Sequence, residues 1–293
     1  MDDVAETGTG AGAVGLRSAA ELVDYVETVG VNKARLPLQS TVVLGILAGM
    51  FIGLGCLVYT LVTSDTALSF AARQMLGGLS FCVGLVLVVV AGAELLTGNI
   101  LMTVAWASGK LKFSDLARNW AVVALANLAG SVLLALIVLY SGTLGLNKGL
   151  VATHALEVAG HKDGLNLLTA LVSGVMCNLL VCLAVWLAYA GRTVADKILA
   201  VLFPITTFVA CGFEHSVADM YFLPLGLMLR ASGVVAPGVT SVTLGATVSH
   251  LIVVILGNIV GGGLLVGLMY HWAYRVKSAA NAATTGQTSG AGK

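Results

Sequence analysis

Long runs of apolar residues alternate with short polar segments along most of this chain. Six such runs lie near residues 41–63, 77–107, 119–141, 166–190, 197–229 and 240–274. A helix needs about 20 apolar residues to cross the hydrocarbon core of a membrane, and the first, third and fourth runs have that length. The second and fifth runs are longer and are interrupted near their middle. The pattern predicts an all-α integral membrane protein with six transmembrane helices, the second and fifth of them broken.

Polar patterning predicts the segments at either end. Residues 1–16 are Gly-rich and acidic and are expected to be disordered. Residues 17–37 form an amphipathic helix that begins with a capping box, Ser18 and Glu21, and either lies in the membrane interface or packs against the ends of other helices. Residues 38–277 make up the membrane domain, and residues 278–293 are expected to form a disordered tail.

Composition supports the membrane prediction. Hydrophobic residues make up 58% of the 293 residues and charged residues only 10%, which excludes a soluble enzyme and a disordered protein. The formal net charge of +1 gives no basic surface for nucleic acid. The five cysteines lie in apolar runs without metal-ligand spacing, so we expect buried thiols and neither a metal nor a cofactor.

The lysines and arginines predict the orientation. With the N-terminus in the cytoplasm, the segments inside carry eleven of these residues and the outside loops carry four. Positive charge collects on the cytoplasmic side, so both termini are expected there and the protein in the cell inner membrane.

The two halves of the chain share a pattern. Gly49–Gly53 matches 174–178, Gly92-Ala-Glu94 matches Gly212-Phe-Glu214, and Asn127-Leu-Ala-Gly130 matches Asn258-Ile-Val-Gly261. Asn99 and Asp219 each follow their glutamate by five residues. Three spans per repeat is an odd number, so the second repeat is inverted. Inverted repeats with broken helices are typical of transporters and channels, because unwound backbone survives at membrane depth only beside a cavity or inside protein.

Two polar sites inside the apolar runs are candidates for function. His215 is the histidine deepest in a span, and it follows Glu214 directly. Ionisable groups inside a span are costly, so we expect a role in the pore, with a neutral structural histidine as the alternative. Glu94 and Glu214 are expected to cap the broken segments or to bond the asparagines of the next span, rather than to form a paired-carboxylate site. Thr97 either offers its hydroxyl to an anion or caps the break.

Five further residues are candidates for the pore only because of where they lie in the sequence. Lys162 precedes the fourth span, where a cation attracts anions to a pore mouth, although spacing alone favours a solvated loop lysine. Phe81, Leu85, Leu95 and Phe208 are core residues in any helical bundle, and beside the breaks they are also candidates for narrow apolar gates.

These segments resemble the formate/nitrite transporter family, most closely its FocA-type formate channels. The resemblance covers about residues 30–277 and is carried by these segments: Lys33-Ala-Arg-Leu-Pro37, 45–55, Ala91-Gly-Ala-Glu-Leu-Leu-Thr-Gly-Asn99, His161-Lys162, 178–186, Gly212-Phe-Glu-His-Ser216 and 257–267. The family implies an aquaporin-like protomer, a homopentamer and one anion pore in each subunit.

The resemblance also implies roles for individual residues. Thr97 matches the threonine of the flexible loop in the first broken helix, His215 the central pore histidine and Glu214 its neighbour. Lys162 matches the outer-vestibule lysine, Asn178 a pore-lining asparagine, and the four apolar residues match gate positions. Two positions depart from the family pattern. Leu96 stands where Phe is frequent, which is expected to widen the gate, and Asp219 stands where Asn is usual, where an unpaired acid would disfavour anions.

The sequence thus predicts a non-enzymatic channel or transporter for formate or a similar small monovalent anion, with protonation near His215 and pH-dependent gating. Nitrite, hydrosulfide, acetate and lactate are alternative substrates on the same fold. Two hypotheses come from other functional classes: a neutral-solute channel, and an intramembrane hydrolase using Ser216, His215 and Glu214.

Overall fold

The computed structural model describes residues 16–239 and 241–275, and their regular structure is entirely helical. The two predicted disordered tails lie outside the described residues, apart from Leu16. Eleven α-helices are described: α1 Ala19–Ala34, α2 Leu38–Thr63, α3 Phe70–Ala91, α4 Leu96–Asn99, α5 Thr103–Ala107, α6 Phe113–Tyr140, α7 Leu150–Asp163, α8 Leu167–Ala190, α9 Val194–Ala210, α10 Ser216–Ala231 and α11 Leu244–Ile259. A π-helical stretch, Val260–Leu268, continues α11 toward Arg275.

The predicted breaks in the second and fifth spans are present. Helix α3 ends at Gly92, whose φ of 81° lies in the left-handed region, and the chain runs extended to Leu95 before α4 begins. Helix α9 ends at Cys211, and Gly212 has a φ of 71° before α10 begins. Glycine tolerates this conformation without steric cost, so the chain can turn out of each helix. The first break ends at Leu95, and Thr97 lies in the first turn of α4, directly after the break.

Five helices have the length and apolarity to cross a membrane by themselves, within the residues that the structure describes: α2, α3, α6, α8 and the continuous stretch Leu244–Arg275. Helices α9 and α10 have 17 and 16 residues, because the second break divides their span. The total of six spans therefore stays a prediction.

Helix α1 packs against the bundle. Its capping box is formed, since Ser18 Oγ accepts the Glu21 N–H and Glu21 returns a bond to the Ser18 N–H. Its apolar face is buried in a small core with α5, α8 and the last helix, and this core includes Val23, Val26, Val104, Val185 and Val266. Helix α1 therefore packs against the other helices, and its position relative to the membrane interface stays a prediction.

Glycines let the helices of each half approach closely. A Cβ on Gly130 of α6 would clash with the Ile46 carbonyl oxygen of α2, and a Cβ on Gly261 would clash with the Val175 carbonyl oxygen of α8. The same contact thus occurs once in each half, as the repeat predicts.

The cysteines are free thiols. Four of them are buried as expected: Cys56, Cys82, Cys177 and Cys182. Cys211 is exposed, because it lies where α9 gives way to the second break.

Candidate functional site

Two asparagines satisfy the unwound backbone at the breaks. The Asn127 side chain donates to the carbonyl oxygens of Gly45 (2.8 Å) and Glu94 (2.9 Å), and accepts the Leu96 N–H at 2.9 Å. The bonds to Glu94 and Leu96 replace bonds that the interrupted helix cannot make, while the bond to Gly45 links the amide to the continuous helix α2. The amide therefore ties α2, the break and α4 together.

Asn258 makes the same three bonds in the other half. It donates to Gly174 (2.8 Å) and Glu214 (3.1 Å), and accepts the Ser216 N–H at 3.0 Å. These bonds make Gly45, rather than Gly49, the structural counterpart of Gly174, so the sequence match in this helix was displaced by one turn.

The two glutamates differ from expectation. Their backbone carbonyls, not their carboxylates, bond the asparagines, and each carboxylate pairs with a lysine. Lys33 Nζ lies 2.5 Å from Glu94 Oε1, and Lys162 Nζ lies 2.6 Å from Glu214 Oε2. Lys33 and Lys162 are each the penultimate residue of their helices, α1 and α7. The repeat thus includes a lysine-bearing helix in each half, which the sequence comparison did not find.

The Lys162 pair belongs to a larger buried cluster. Lys162 Nζ also lies 2.8 Å from Asp219 Oδ1, and His250 Nε2 lies 3.3 Å from carboxylate oxygens of both Glu214 and Asp219. We call these four residues the Lys162 cluster. Carboxylate and imidazole groups this close are able to bind a metal cation, but the Lys162 ammonium already lies between the carboxylates. The charged partner of the acids is therefore the lysine.

Sequence reasoning missed His250 and the pairing of Asp219. His250 lies eight residues before Asn258, and Asn119 lies eight residues before Asn127. Extending the repeat by two helical turns was the signal that could have found His250. In the first half, Asn99 donates to Glu94 (2.7 Å) and to Asn119 Oδ1 (2.9 Å). Asn99, predicted to support the break, thus does so through the glutamate.

Two cavities enter the bundle from opposite ends of α2. The first, the Lys33 vestibule, measures about 550 Å³, and the second, the Lys162 vestibule, about 290 Å³. Lys33 lies just before α2 begins, whereas Thr63 at its end contacts His154 of the Lys162 vestibule at 2.9 Å. Twenty-six helical residues span about 39 Å, so the vestibules lie on the two faces of the protein.

The charges in the vestibules differ. The Lys33 vestibule has four cationic side chains and the single carboxylate of Glu94 in its wall; the cations are Arg17, Lys33, Arg192 and Lys197. The wall of the Lys162 vestibule includes Lys162, Glu157 and Glu214, together with the aromatic rings of Tyr59, Phe81, Phe208, Phe213 and Phe222.

The four predicted gate residues lie between the vestibules. Leu85 and Leu95 line the Lys33 vestibule, while Phe81 and Phe208 line the Lys162 vestibule and pack edge to face with ring centroids 5.6 Å apart. All four side chains are buried. Phe81 and Leu85 are one turn apart on α3, so these four apolar side chains separate the two cavities, and we call the region that they occupy the constriction.

Thr97 and His215 meet at this constriction. Thr97 Oγ1 lies 2.9 Å from His215 Nε2, and both residues are buried. His215 is the N-cap of α10, and its Nδ1 accepts the Ala218 N–H at 3.1 Å. Because an N–H group can only donate, Nδ1 carries no proton, and the neutral ring holds its proton on Nε2. The ring therefore donates toward Thr97, whose own hydroxyl hydrogen can reach another acceptor.

Asn178 and Leu96 lie behind the constriction. Asn178 donates to the carbonyl oxygens of Thr97 (3.3 Å) and Asn258 (2.7 Å), and its side chain is fully buried. It thus braces Thr97 and is not a wall residue of either vestibule in the described part of the chain. Leu96, which we expected to widen the gate, is buried in the core, because its register turns it away from both cavities.

The hydrolase constellation is not assembled. The two nitrogens of His215 bond Thr97 and Ala218, and the buried Ser216 Oγ has no hydrogen-bond partner among the described residues. A nucleophile needs a base within hydrogen-bond reach, and His215 does not supply one to Ser216.

Comparisons with known proteins agree with this geometry. The family model "Formate/nitrite transporter" matches residues 20–272. The chain is 38% identical over 266 residues to "Formate channel FocA" of Escherichia coli strain K12, covering 87% of this chain and 93% of that protein. It is also 38% identical over 265 residues to "Uncharacterized transporter YrhG" of Bacillus subtilis strain 168, covering 89% and 95%.

A solved structure described as "Pentameric formate channel with formate bound" superposes with a TM-score of 0.75 at 36% identity, covering 81% of this chain and 97% of that one. Together with the apolar helices, these relatives make the protein a multi-pass protein of the inner membrane. The chain belongs to the formate/nitrite transporter family.

Proposed function

We propose that this protein conducts formate through a pore in each subunit of a homopentamer. The observation that carries the proposal is the constriction itself, where a buried threonine and histidine meet between two vestibules and apolar gates. The relative from E. coli is named a formate channel, and the similar solved structure is pentameric with formate bound. Large apolar side chains remain exposed around the single chain, including Leu47, Leu133 and Ile252, and would face lipid or neighbouring subunits.

The apolar gates set the energetic problem for an anion. Moving a carboxylate from water into apolar surroundings costs several kcal/mol even after relaxation. At the constriction, the His215 Nε2–H and the Thr97 hydroxyl offer formate two hydrogen bonds. The anion takes a proton from a hydronium ion of the vestibule there, which leaves as water, and crosses the gates as neutral formic acid, which removes most of the desolvation cost.

His215 acts in this scheme as a hydrogen-bond donor. A second proton on the ring would have to bind Nδ1, which the Ala218 N–H already occupies. Adding it would break the cap of α10. A hydronium ion therefore supplies the proton and leaves as water, and the histidine holds the anion where transfer occurs.

The orientation follows from the charges of the chain. The Lys33 vestibule faces the cytoplasm, as do both chain ends, and the Lys162 vestibule faces outward. Gating by pH acts at Leu95 and Thr97 beside the first break, where α4 has only four residues. The protein works without catalysis, since its task ends with the transfer of the anion and proton across the membrane.

The test is uptake of labelled formate by liposomes across a pH series. Wild type should conduct formate, and nitrite, hydrosulfide, acetate and lactate should compete according to size and charge. His215→Asn retains an N-cap acceptor but lacks the Nε2–H, so we expect flux to fall and its pH dependence to flatten. His215→Phe should reduce flux at least as much.

Three results would count against the proposal. Unchanged formate flux and pH dependence in both variants would remove the role of His215. Nitrite transport without formate transport would move the protein to the other named substrate of the family. Glycerol-driven swelling without anion flux would indicate a neutral-solute channel.

A further inference from the structure

The two halves of the repeat hold different residues at one equivalent pair of positions. In the first half, Asn99 lies five residues after Glu94, and Asn119 lies eight residues before Asn127. In the second half the equivalent residues are Asp219 and His250. The members of each pair contact each other, at 2.9 Å for Asn99 and Asn119 and 3.3 Å for Asp219 and His250. One member of each pair contacts the glutamate: Asn99 at 2.7 Å and His250 at 3.3 Å. The molecule thus contains a neutral and an ionisable version of one arrangement.

The difference changes the charge balance. Lys33 and Glu94 neutralise each other, and the two asparagines add nothing. In the Lys162 cluster, one lysine faces two carboxylates, which leaves one uncompensated negative charge when His250 is neutral. Asp219 and His250 are 0% and 2% exposed and Glu214 is 2% exposed, so water does little to screen that charge. A buried unpaired charge is costly, and one bound proton removes it.

The geometry places that proton. His250 Nε2 lies 3.3 Å from Glu214 Oε2 and 3.3 Å from Asp219 Oδ2, so a hydrogen on Nε2 points at both acids. His250 Nδ1 has no hydrogen-bond partner among the described residues, and it is the second ring position where a proton can bind. The cluster is therefore built to bind a proton between an imidazole and two carboxylates.

We propose that Asp219 and His250 hold one exchangeable proton beside the Lys162 vestibule, and that this proton determines whether the vestibule admits an anion. The inference rests on the proposed function, because the anion is the formate of that proposal. With the proton bound, the Lys162 cluster is neutral, like its counterpart around Lys33. When the proton leaves, the cluster carries one negative charge where Glu214 enters the vestibule wall, and it repels formate.

Other ionisable groups surround His250 and Asp219. Besides the members of the cluster, these groups are His161 and Asp163 on or beside α7, His215 at the start of α10, Cys177 on α8, and Cys56 and Tyr59 on α2. Asp163 already accepts the Thr243 N–H at 3.0 Å, and the thiols and the phenol are neutral near pH 7. His161 is exposed to solvent, and both ring nitrogens of His215 already have partners, so the exchangeable proton is assigned to the Asp219–His250 pair.

The first half supplies the matched variant. The double variant Asp219→Asn with His250→Asn reproduces in the Lys162 cluster the pair that already functions around Lys33. We would measure formate uptake by liposomes from pH 5 to 9 for wild type, both single variants and the double variant. His271→Asn is the control, since His271 contacts Ser108 at the far end of the bundle.

Each variant has a distinct expected pH profile. Wild-type flux should fall at alkaline pH as the proton leaves. His250→Asn leaves two carboxylates to hold the proton alone, so the pH of half-maximal flux should drop by about one unit or more. Asp219→Asn removes the need for the proton, so flux should persist to higher pH. The double variant should match Asp219→Asn, because without Asp219 the Lys162–Glu214 pair is already neutral and needs no proton from His250.

The inference is overturned if the double variant has the wild-type profile, or if the His250→Asn shift is the same with and without Asp219. A second measurement keeps the test valid if a variant assembles poorly. Histidine ¹⁵N NMR of the detergent-solubilised pentamer, without formate, should include one titrating ring that is lost in His250→Asn and displaced in Asp219→Asn, while the signals of the other histidines stay unchanged. If His250 titrates but the protein does not conduct formate, the proposed function is refuted and the proton site is retained. If the protein conducts formate and all variants have the same pH profile, the proton site is refuted and the proposed function is retained.

Discussion

The Lys33 half and the Lys162 half each place a lysine near the end of a short helix, a glutamate in a helix break and an asparagine against that break. The Lys33 half comprises α1 to α6, and the Lys162 half comprises α7 to α11 and its π-helical continuation. The bonds around Asn127 and Asn258 agree to within 0.2 Å. We call this shared set of helix break, bracing asparagine and lysine-bearing helix the backbone frame, and both halves have it.

The side chains within that frame have diverged. One half has Leu95 at the position where the other has His215, and Asn99 where the other has Asp219. The titratable groups of the constriction thus come from the Lys162 half, while the Lys33 half supplies Thr97 and the leucine gates. The comparison teaches that the frame holds the breaks open and that the residues placed in it determine the chemistry.

The largest expected effect comes from removing the frame. Asn127→Ala and Asn258→Ala should each leave two buried backbone groups of a break without partners. At about 1–2 kcal/mol per group, each variant should lose roughly 2–4 kcal/mol of stability. Unfolding in detergent, followed by fluorescence-detected size exclusion, should show equal losses in both variants.

Asn32→Ala on α1 is the matched control and should change little. If only one of the two asparagines proved essential, the two halves would not share the frame, and the comparison above would fail.

Close packing of the helices gives a second, smaller test of equivalence. Gly130→Ala and Gly261→Ala would each press a methyl group against a backbone carbonyl, which costs roughly 1–3 kcal/mol or more. Gly145→Ala, with open space around its Cβ position, should be neutral. The thermal stability of the solubilised protein should be lower in Gly130→Ala and Gly261→Ala than in the Gly145→Ala control. An unchanged stability in Gly261→Ala would show that the Lys162 half packs more loosely.

The sequence predicted most of this frame. Glycine followed by glutamate inside an apolar run indicated both breaks, because a buried glutamate is costly in a continuous membrane helix. The glycine match failed by one turn because glycines at 45, 49 and 53 recur every four residues, so a shift of one turn aligns them equally well. Only the hydrogen bonds of Asn127 and Asn258 determine the register.

The partners of the glutamates could not be predicted in the same way. Lys33 lies 61 residues before Glu94, and Lys162 lies 52 residues before Glu214, so tertiary packing alone brings each pair together. Asn178 was expected to line the pore because the family resemblance implies it. Its amide bonds the backbone carbonyls of Thr97 and Asn258, contacts that are visible only in three dimensions.

Lysine substitutions test whether the difference in charge affects conduction. Lys162→Met leaves Glu214 and Asp219 uncompensated, whereas Lys33→Met leaves only Glu94, which still accepts from Asn99. We expect formate flux to fall about tenfold or more in Lys162→Met, equivalent to about 1.4 kcal/mol, and less in Lys33→Met.

Lys148→Met removes an exposed lysine and is the control for this experiment. Adding Asp219→Asn to Lys162→Met should recover part of the flux, because it removes one of the two uncompensated charges. Equal losses in the two lysine variants would mean that the extra carboxylate has no influence on the vestibule.

The smallest effect concerns how each lysine-bearing helix is anchored. Helix α1 is held by Glu27, a fully buried residue that pairs with Lys110, accepts from Arg275 at 2.6 Å and accepts from Ser108 at 2.8 Å. Burial raises the pKa of Glu27, but the bonds from Lys110, Arg275 and Ser108 outweigh it and hold the pKa below its ordinary value. The ionised carboxylate thus stabilises the docked helix above the ordinary glutamate pKa of about 4.3, and this contribution is lost as the pH falls through the lowered value.

Glu27→Gln should therefore cost about 1–2 kcal/mol at pH 7, and the difference from wild type should shrink as the pH is lowered below about 4. Hydrogen exchange of α1 measures this directly, with α7 as the internal reference because its lysine is anchored by carboxylates of α10 and the second break instead. Glu21→Gln is the control, since glutamine still completes the capping box. If α1 and α7 loosened together in Glu27→Gln, the anchoring of the two vestibules would be coupled through the bundle, and the halves could not be treated as independent.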